Sequence, residues 1–118
     1  MNGTRNVLIV DDDRVHREIL GALVNRLGHQ AYLADSGPEA LKLVEDVGFD
    51  LVLTDLIMPK MDGASFAMRA RELRPDLQIV FLTGYPDAAD AVVDFGFIAM
   101  IKPVMLSLIT SVIEERLQ

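Results

Sequence analysis

The stretch "LVLTDLIMPKMDG", Leu51 to Gly63, decides the fold. Its first four residues are a continuous apolar run, the pattern of a strand covered on both faces. The run stops at an acid, Asp55, and after three more apolar residues Pro59 and a Met-Asp-Gly turn lead the chain away. A carboxylate at the exit of a buried strand is either a cap or turn residue, or a group placed there for chemistry. The rest of the chain bears on that choice.

Working outward, four more apolar runs share the character of the first: "VLIV" (Val7 to Val10), "QAYLA" (Gln30 to Ala34), "IVFL" (Ile79 to Leu82) and "IAMI" (Ile98 to Ile101). "QAYLA" is more mixed and reads as an edge strand. Helical spacing fills the gaps. Val15, Ile19, Leu23 and Leu27 recur at four-residue steps, and Leu20 and Val24 widen that stripe. Ala40, Leu41, Val44 and Val47 repeat the pattern after a cap at Asp35 or Ser36, with Pro38 in the first turn. A third helix follows Gly63 and ends near Pro75, which disfavours a helical Arg74. A last helix runs from about Leu106 to Leu117. Alternation of strand and helix predicts an α/β protein: a doubly wound, five-stranded parallel sheet of flavodoxin-like order 2-1-3-4-5.

The chain has 118 residues, 51% hydrophobic and 25% charged, which suits one domain over residues 1–118 with its own core. It has no cysteine, so disulfides, thiolate metal sites and cysteine nucleophiles are excluded. A net charge of −7 disfavours direct binding of nucleic acid. No apolar run approaches the ~18 residues of a membrane span, and the polar start "MNGTRN" is unlike a secretory signal; a cytoplasmic protein is expected.

The polar residues that follow the runs are unusual as a set. Asp11, Asp12 and Asp13 follow the first, Asp55 the third, Thr83 and Gly84 the fourth, Lys102 and Pro103 the fifth. In a parallel sheet these positions share the carboxyl edge, where open α/β sheets place their sites. The order 2-1-3-4-5 brings Asp11, Asp12 and Asp55 together. Carboxylates at close range repel unless a cation or proton intervenes. Oxygen donors alone favour Mg²⁺, which keeps several waters and takes about one or two carboxylates together with phosphate oxygens. Lys102 supplies a point charge for an anion, Thr83 a hydroxyl, and an aspartate can act as a nucleophile toward phosphorus. Each residue has a plain structural reading as well: Asp13 as the cap of the first helix, Asp55 and Thr83 as turn residues, Lys102 as a surface lysine. Four useful polar groups on one edge favour a phosphate-and-Mg²⁺ site over four unrelated caps.

The elements "VLIVDDD", "LTDLIMPKMDG", "LTG" and "IKP", in this order, resemble the receiver domain of two-component response regulators over essentially the whole chain. That resemblance implies a phospho-accepting signalling domain. Asp55 would take a phosphoryl group from a phosphohistidine of a histidine kinase or phosphotransfer protein. Asp12 would ligate Mg²⁺, Asp11 would orient metal-bound water, and Asp55 and the backbone carbonyl of Ile57 would complete the metal shell. Lys102 would contact the phosphoryl group, its bond to Pro103 would be cis, and Thr83 would be the hydroxyl that moves on activation. Such a domain catalyses its own phosphorylation and dephosphorylation and acts on a downstream protein or an attached output domain. An Asp-nucleophile phosphatase is the enzymatic alternative; it calls for a second acid two residues after the nucleophile, where this chain has Ile57. A pseudo-receiver that serves only as an interaction module would have a broken acidic site, and this one is intact.

Two features depart from the resemblance. The position three residues before Lys102, normally an aromatic switch, is Ala99, and Tyr85 and Phe97 are the nearest replacements. The segment from Thr83 to Lys102 is short for the family, so the fourth helix should be short or irregular; both traits match a subgroup without the strand-five aromatic. Ile57 and Tyr85 stand where the family tunes attack of water, and their apolar bulk implies slow loss of phosphate. The last helix carries a second apolar stripe (Met105, Leu108, Val112) beside Leu106, Ile109, Ile113 and Leu117, which suits a homodimer or partner surface. His16 and His29 read as ordinary surface residues.

Overall fold

The computed structural model describes residues 3–118. The chain alternates β1 (Asn6–Val10), α1 (Arg14–Arg26), β2 (Gln30–Ala34), α2 (Gly37–Asp46), β3 (Leu51–Asp55), α3 (Gly63–Leu73), β4 (Gln78–Thr83), α4 (Pro86–Asp94), β5 (Ile98–Ile101) and α5 (Leu106–Arg116). All strand pairs are parallel, in the order β2-β1-β3-β4-β5. The fourth helix is short, at nine residues.

The apolar runs are continuous because each strand feeds two cores. Leu8, Val10, Val52, Ile79 and Phe81 point to one face and pack with Ala40 and Val44 of α2, Phe66, Ala67 and Ala70 of α3, and Val92 of α4. Their neighbours Val7, Ile9, Leu51, Leu53, Val80 and Leu82 point to the other face, against Leu20 and Val24 of α1 and Ile109 and Ile113 of α5. Successive residues alternate faces, so a run of four apolar residues is what a doubly covered strand requires. Fully burying each such Leu, Ile, Val or Phe is worth about 1.5–3 kcal/mol.

Two sequence expectations are corrected by this packing. Val15 and Ile19 are not on the core face of α1; they are 66% and 44% exposed, while Leu20 and Val24 are buried. A four-residue step overshoots the 3.6-residue turn by about 40°, so a stripe carried from Val15 to Leu27 winds round the helix and cannot stay on one side. On α5, Ile109, Ile113 and Leu117 are buried, but Leu106, the helix's first residue, is exposed. Exposed Met105 and Leu108 join it, so the apolar surface of α5 is concentrated at its start.

Candidate functional site

Register builds the site. Val10 of β1 pairs with Thr54 of β3, so the next residues, Asp11 and Asp55, leave the sheet side by side. Thr83 ends β4 opposite Ile101 of β5, and Lys102 follows, its backbone N–H donating to the Thr83 carbonyl at 2.7 Å. The bond from Lys102 to Pro103 is cis, as the resemblance implied.

Asp11, Asp12 and Asp55 offer carboxylate oxygens that all lie within 4.8 Å of one another. Asp11 is buried, Asp55 is half-buried and Asp12 is exposed. Lys102 Nζ stands 3.2 Å from Asp55 Oδ2 and 3.6 Å from Asp11 Oδ2. Asp55 Oδ1 accepts the backbone N–H of Leu56 at 2.7 Å, which leaves Oδ2 on the lysine side. Three carboxylates and one ammonium make a site with surplus negative charge, and the donors are hard oxygens without a thiolate. That donor set fits Mg²⁺.

The loop after Asp55 is held at both ends. Asp62 caps α3 by accepting the Ser65 N–H at 2.8 Å, and the Gly63 N–H donates to the Leu56 carbonyl at 2.7 Å. Asp13 is the cap of α1, its carboxylate accepting the N–H groups of Val15 and His16. An open cleft runs over the site, walled by Asp12, Asp55, Ile57, Gly84, Tyr85 and Lys102. Ile57 and Tyr85 are 50% and 61% exposed and stand as apolar walls beside Asp55.

Thr83 is fully buried, and its hydroxyl oxygen accepts the Tyr85 N–H at 3.2 Å. Tyr85 is the N-cap position of α4 and offers that helix no side-chain cap. Phe97 is not at the cleft. It is buried in the core on the α3 side, edge-on to Phe81 with ring centroids 5.3 Å apart, with the Arg71 guanidinium 4.6 Å from its ring centre.

The expectation that both histidines are plain surface residues is corrected. His16 is half-buried, with Nδ1 2.5 Å from Asp11 Oδ2. His29 is half-buried too, and its Nδ1 accepts the Arg5 N–H at 3.3 Å. A second site contact escaped the sequence: Arg17 Nη1 donates to the Asp11 carbonyl at 2.8 Å. The Asp13 cap was the available signal for both, because His16 and Arg17 occupy the third and fourth helical positions, from which side chains can reach back toward the cap and the residues before it.

Burial pushes the Asp11 carboxyl up, but the hydrogen bond to His16, the Asp13 N–H and the Lys102 charge outweigh it and hold the group below its ordinary value of 3.8. A folded-state value depressed in this way adds stability that is complete above the unfolded pKa and is lost as pH falls through the folded one. Urea midpoints should therefore drop as the pH goes below about 4, and Asp11→Asn should flatten part of that drop. Equal slopes in the two proteins would remove Asp11 from the acid response.

A five-stranded sheet with three acids and a lysine on its carboxyl edge is the arrangement of a receiver domain. Residues 7–114 match the family model described as the response regulator receiver domain, and the chain belongs to that family of two-component signalling domains. It is similar to the response regulator receiver protein CpdR of Brucella abortus, 36% identical over 85 residues that cover 72% of this chain and 71% of CpdR. The sensor kinase CckA of the same organism is 34% identical over 126 aligned positions, which cover 100% of this chain but 13% of CckA. Among solved structures, a receiver domain protein of Methanospirillum hungatei superposes with a TM-score of 0.91 at 27% identity, covering 98% of this chain and 94% of that one. The response regulator TrrA of Thermotoga maritima, solved with Mg²⁺ and BeF, gives 0.89 at 26% identity over 97% of this chain and 100% of TrrA. Receiver domains typically bind Mg²⁺ at an acidic cluster such as this one. Among the described residues, no helix is long and apolar enough to cross a membrane.

Proposed function

We propose that this receiver domain accepts a phosphoryl group on Asp55 from a phosphohistidine of a histidine kinase or phosphotransfer protein, and passes the change on through protein contacts. The observation that carries this is the convergence of Lys102 on Asp55 Oδ2 beside two further acids, at 3.2 Å. The Leu56 N–H holds Oδ1, so Oδ2 is the attacking oxygen. It forms the new bond to phosphorus in line as the phosphorus–nitrogen bond breaks, and the electron pair leaves with the imidazole. Asp11, Asp12, Asp55 and the Ile57 carbonyl would hold Mg²⁺, which when bound neutralises charge on the transferring oxygens. Lys102 is positioned to follow the charge from the carboxylate to a phosphoryl oxygen.

The response runs through Thr83. A phosphoryl group on Asp55 competes for its hydroxyl, which now serves the Tyr85 N–H at the start of a helix without a side-chain cap. Withdrawing that hydroxyl loosens the first turn of α4, a small bistable element of the kind a charge change can bias. Tyr85 is therefore the switch and Phe97 a packing residue. The exposed Met105, Leu106 and Leu108 supply apolar area for a downstream protein, an attached output domain or a second copy.

Intact mass after incubation with acetyl phosphate and Mg²⁺ tests the assignment. One phosphoryl group should add to the wild type and none to Asp55→Asn; steady release of phosphate without an adduct would point to a phosphatase, and no reaction to an interaction module. Ile57 and Tyr85 wall the acyl phosphate from water, so its lifetime should be long and Tyr85→Ala should shorten it severalfold. A wild-type lifetime of seconds, or no effect of the substitution, would contradict the shielding.

A further inference from the structure

Asp11 is gripped from several sides, and most of the grip comes from α1. The Asp13 N–H donates to its Oδ1 at 2.9 Å, Arg17 Nη1 holds its backbone carbonyl, and Oδ2 faces both His16 Nδ1 and Lys102 Nζ. The oxygens of a carboxylate can only accept, so in this pair the imidazole N–H at Nδ1 is the donor. Of the two groups on Oδ2, the imidazole is the nearer, at 2.5 Å against 3.6 Å for the lysine.

We infer that His16 is a positioning residue for the metal-binding acid Asp11, fixing its carboxylate within the three-acid cluster and leaving Lys102 to serve Asp55. The inference rests on the Mg²⁺ reading of that cluster. Its logic is that of the hydrogen bonds outside a metal's own ligands. A carboxylate free to rotate must be ordered each time a cation binds, whereas one locked by a hydrogen bond is ready. Without the imidazole, the Lys102 ammonium is the strongest remaining partner for Oδ2 and is drawn from Asp55 toward Asp11.

The test is a Mg²⁺ titration by calorimetry on wild type, His16→Ala and His16→Gln, each also in an Asp11→Asn background, with thermal melts as a check on folding. His16→Ala should raise the Mg²⁺ Kd about tenfold, while His16→Gln, which keeps an N–H donor, should stay within about threefold of wild type. In the Asp11→Asn background the histidine substitution should have little further effect. Phosphorylation by acetyl phosphate should follow the same split, with His16→Ala demanding more Mg²⁺ but recovering most of its rate at saturation. An unchanged or lower Kd in a well-folded His16→Ala, a His16→Gln as weak as His16→Ala, or an equal loss without Asp11 would each overturn the inference alone. A wild-type chain that binds no Mg²⁺ would overturn the site reading, and this inference with it.

Discussion

Gly63→Ala is expected to lose about 3 kcal/mol of stability and to melt some 10–15 °C below wild type, near the upper end for inserting one methyl into a packed interior. A Cβ at this position would lie 2.2 Å from the Asp55 carbonyl oxygen and 2.8 Å from the Leu56 Cα. Both are backbone atoms, so no side-chain rotation relieves the overlap. The Gly63 N–H is also tied to the Leu56 carbonyl at 2.7 Å, so the start of α3 cannot back away without breaking that bond. The strain falls on Asp55, the residue proposed to supply the nucleophile. A displacement of about 1 Å there is enough to cost on the order of 100-fold in reaction rate. Gly48→Ala is the control, because a Cβ there meets nothing within 4 Å. Thermal and urea melts read the stability, and acetyl phosphate labelling reads the rate. A Gly63→Ala protein that melts with the wild type would show that the loop is not held backbone to backbone.

Lys102→Ala should move two readouts in opposite directions. Its ammonium sits between Asp55 and Asp11, where it partly cancels the charge that attracts a divalent cation. Removing it leaves the acids more negative, and Mg²⁺ should bind severalfold more tightly. The same change removes the cation that meets negative charge as the phosphoryl group arrives, so phosphorylation should slow by about 10²–10³, the scale of losing one preorganised electrostatic partner. Calorimetry measures the first effect and intact mass against time the second. Weaker Mg²⁺ binding, or a rate close to wild type, would remove Lys102 from its assigned place. The contrast with His16→Ala, expected to weaken Mg²⁺, separates a residue that acts by charge from one that acts by orientation.

The layered α/β fold was legible because its signals are redundant. Five apolar runs, the helical spacing between them and the proline and glycine breaks all point to one alternating pattern, and the structure follows it strand for strand. The gathering of the acids was legible for a related reason: in a parallel sheet, the residue after each strand shares an edge with the others. The facing of α1 was not. Too many of its residues are apolar for a four-residue stripe to identify the buried side, and Val15 and Ile19 proved exposed where Leu20 and Val24 are not. His16 was missed because the Asp13 cap marks a side chain that can reach back but not what it reaches; its partner, Asp11, lies five residues back, across that cap. Tyr85 and Phe97 both stood as the nearest replacements for the absent aromatic, since sequence shows neither depth nor direction. Burial beside Phe81 takes Phe97 out of the cleft and leaves Tyr85 on its rim.

Formation of an acyl phosphate on Asp55, as proposed, can be read residue by residue through borohydride trapping. Borohydride reduces an aspartyl phosphate to homoserine, so the protein is treated with acetyl phosphate and Mg²⁺, reduced, digested and sequenced by tandem mass spectrometry. Homoserine at position 55, absent when Mg²⁺ or the phosphodonor is left out, is the predicted result. Reduction at Asp11, Asp12 or Asp13 instead, or no reduced residue in a protein that binds Mg²⁺, would contradict it.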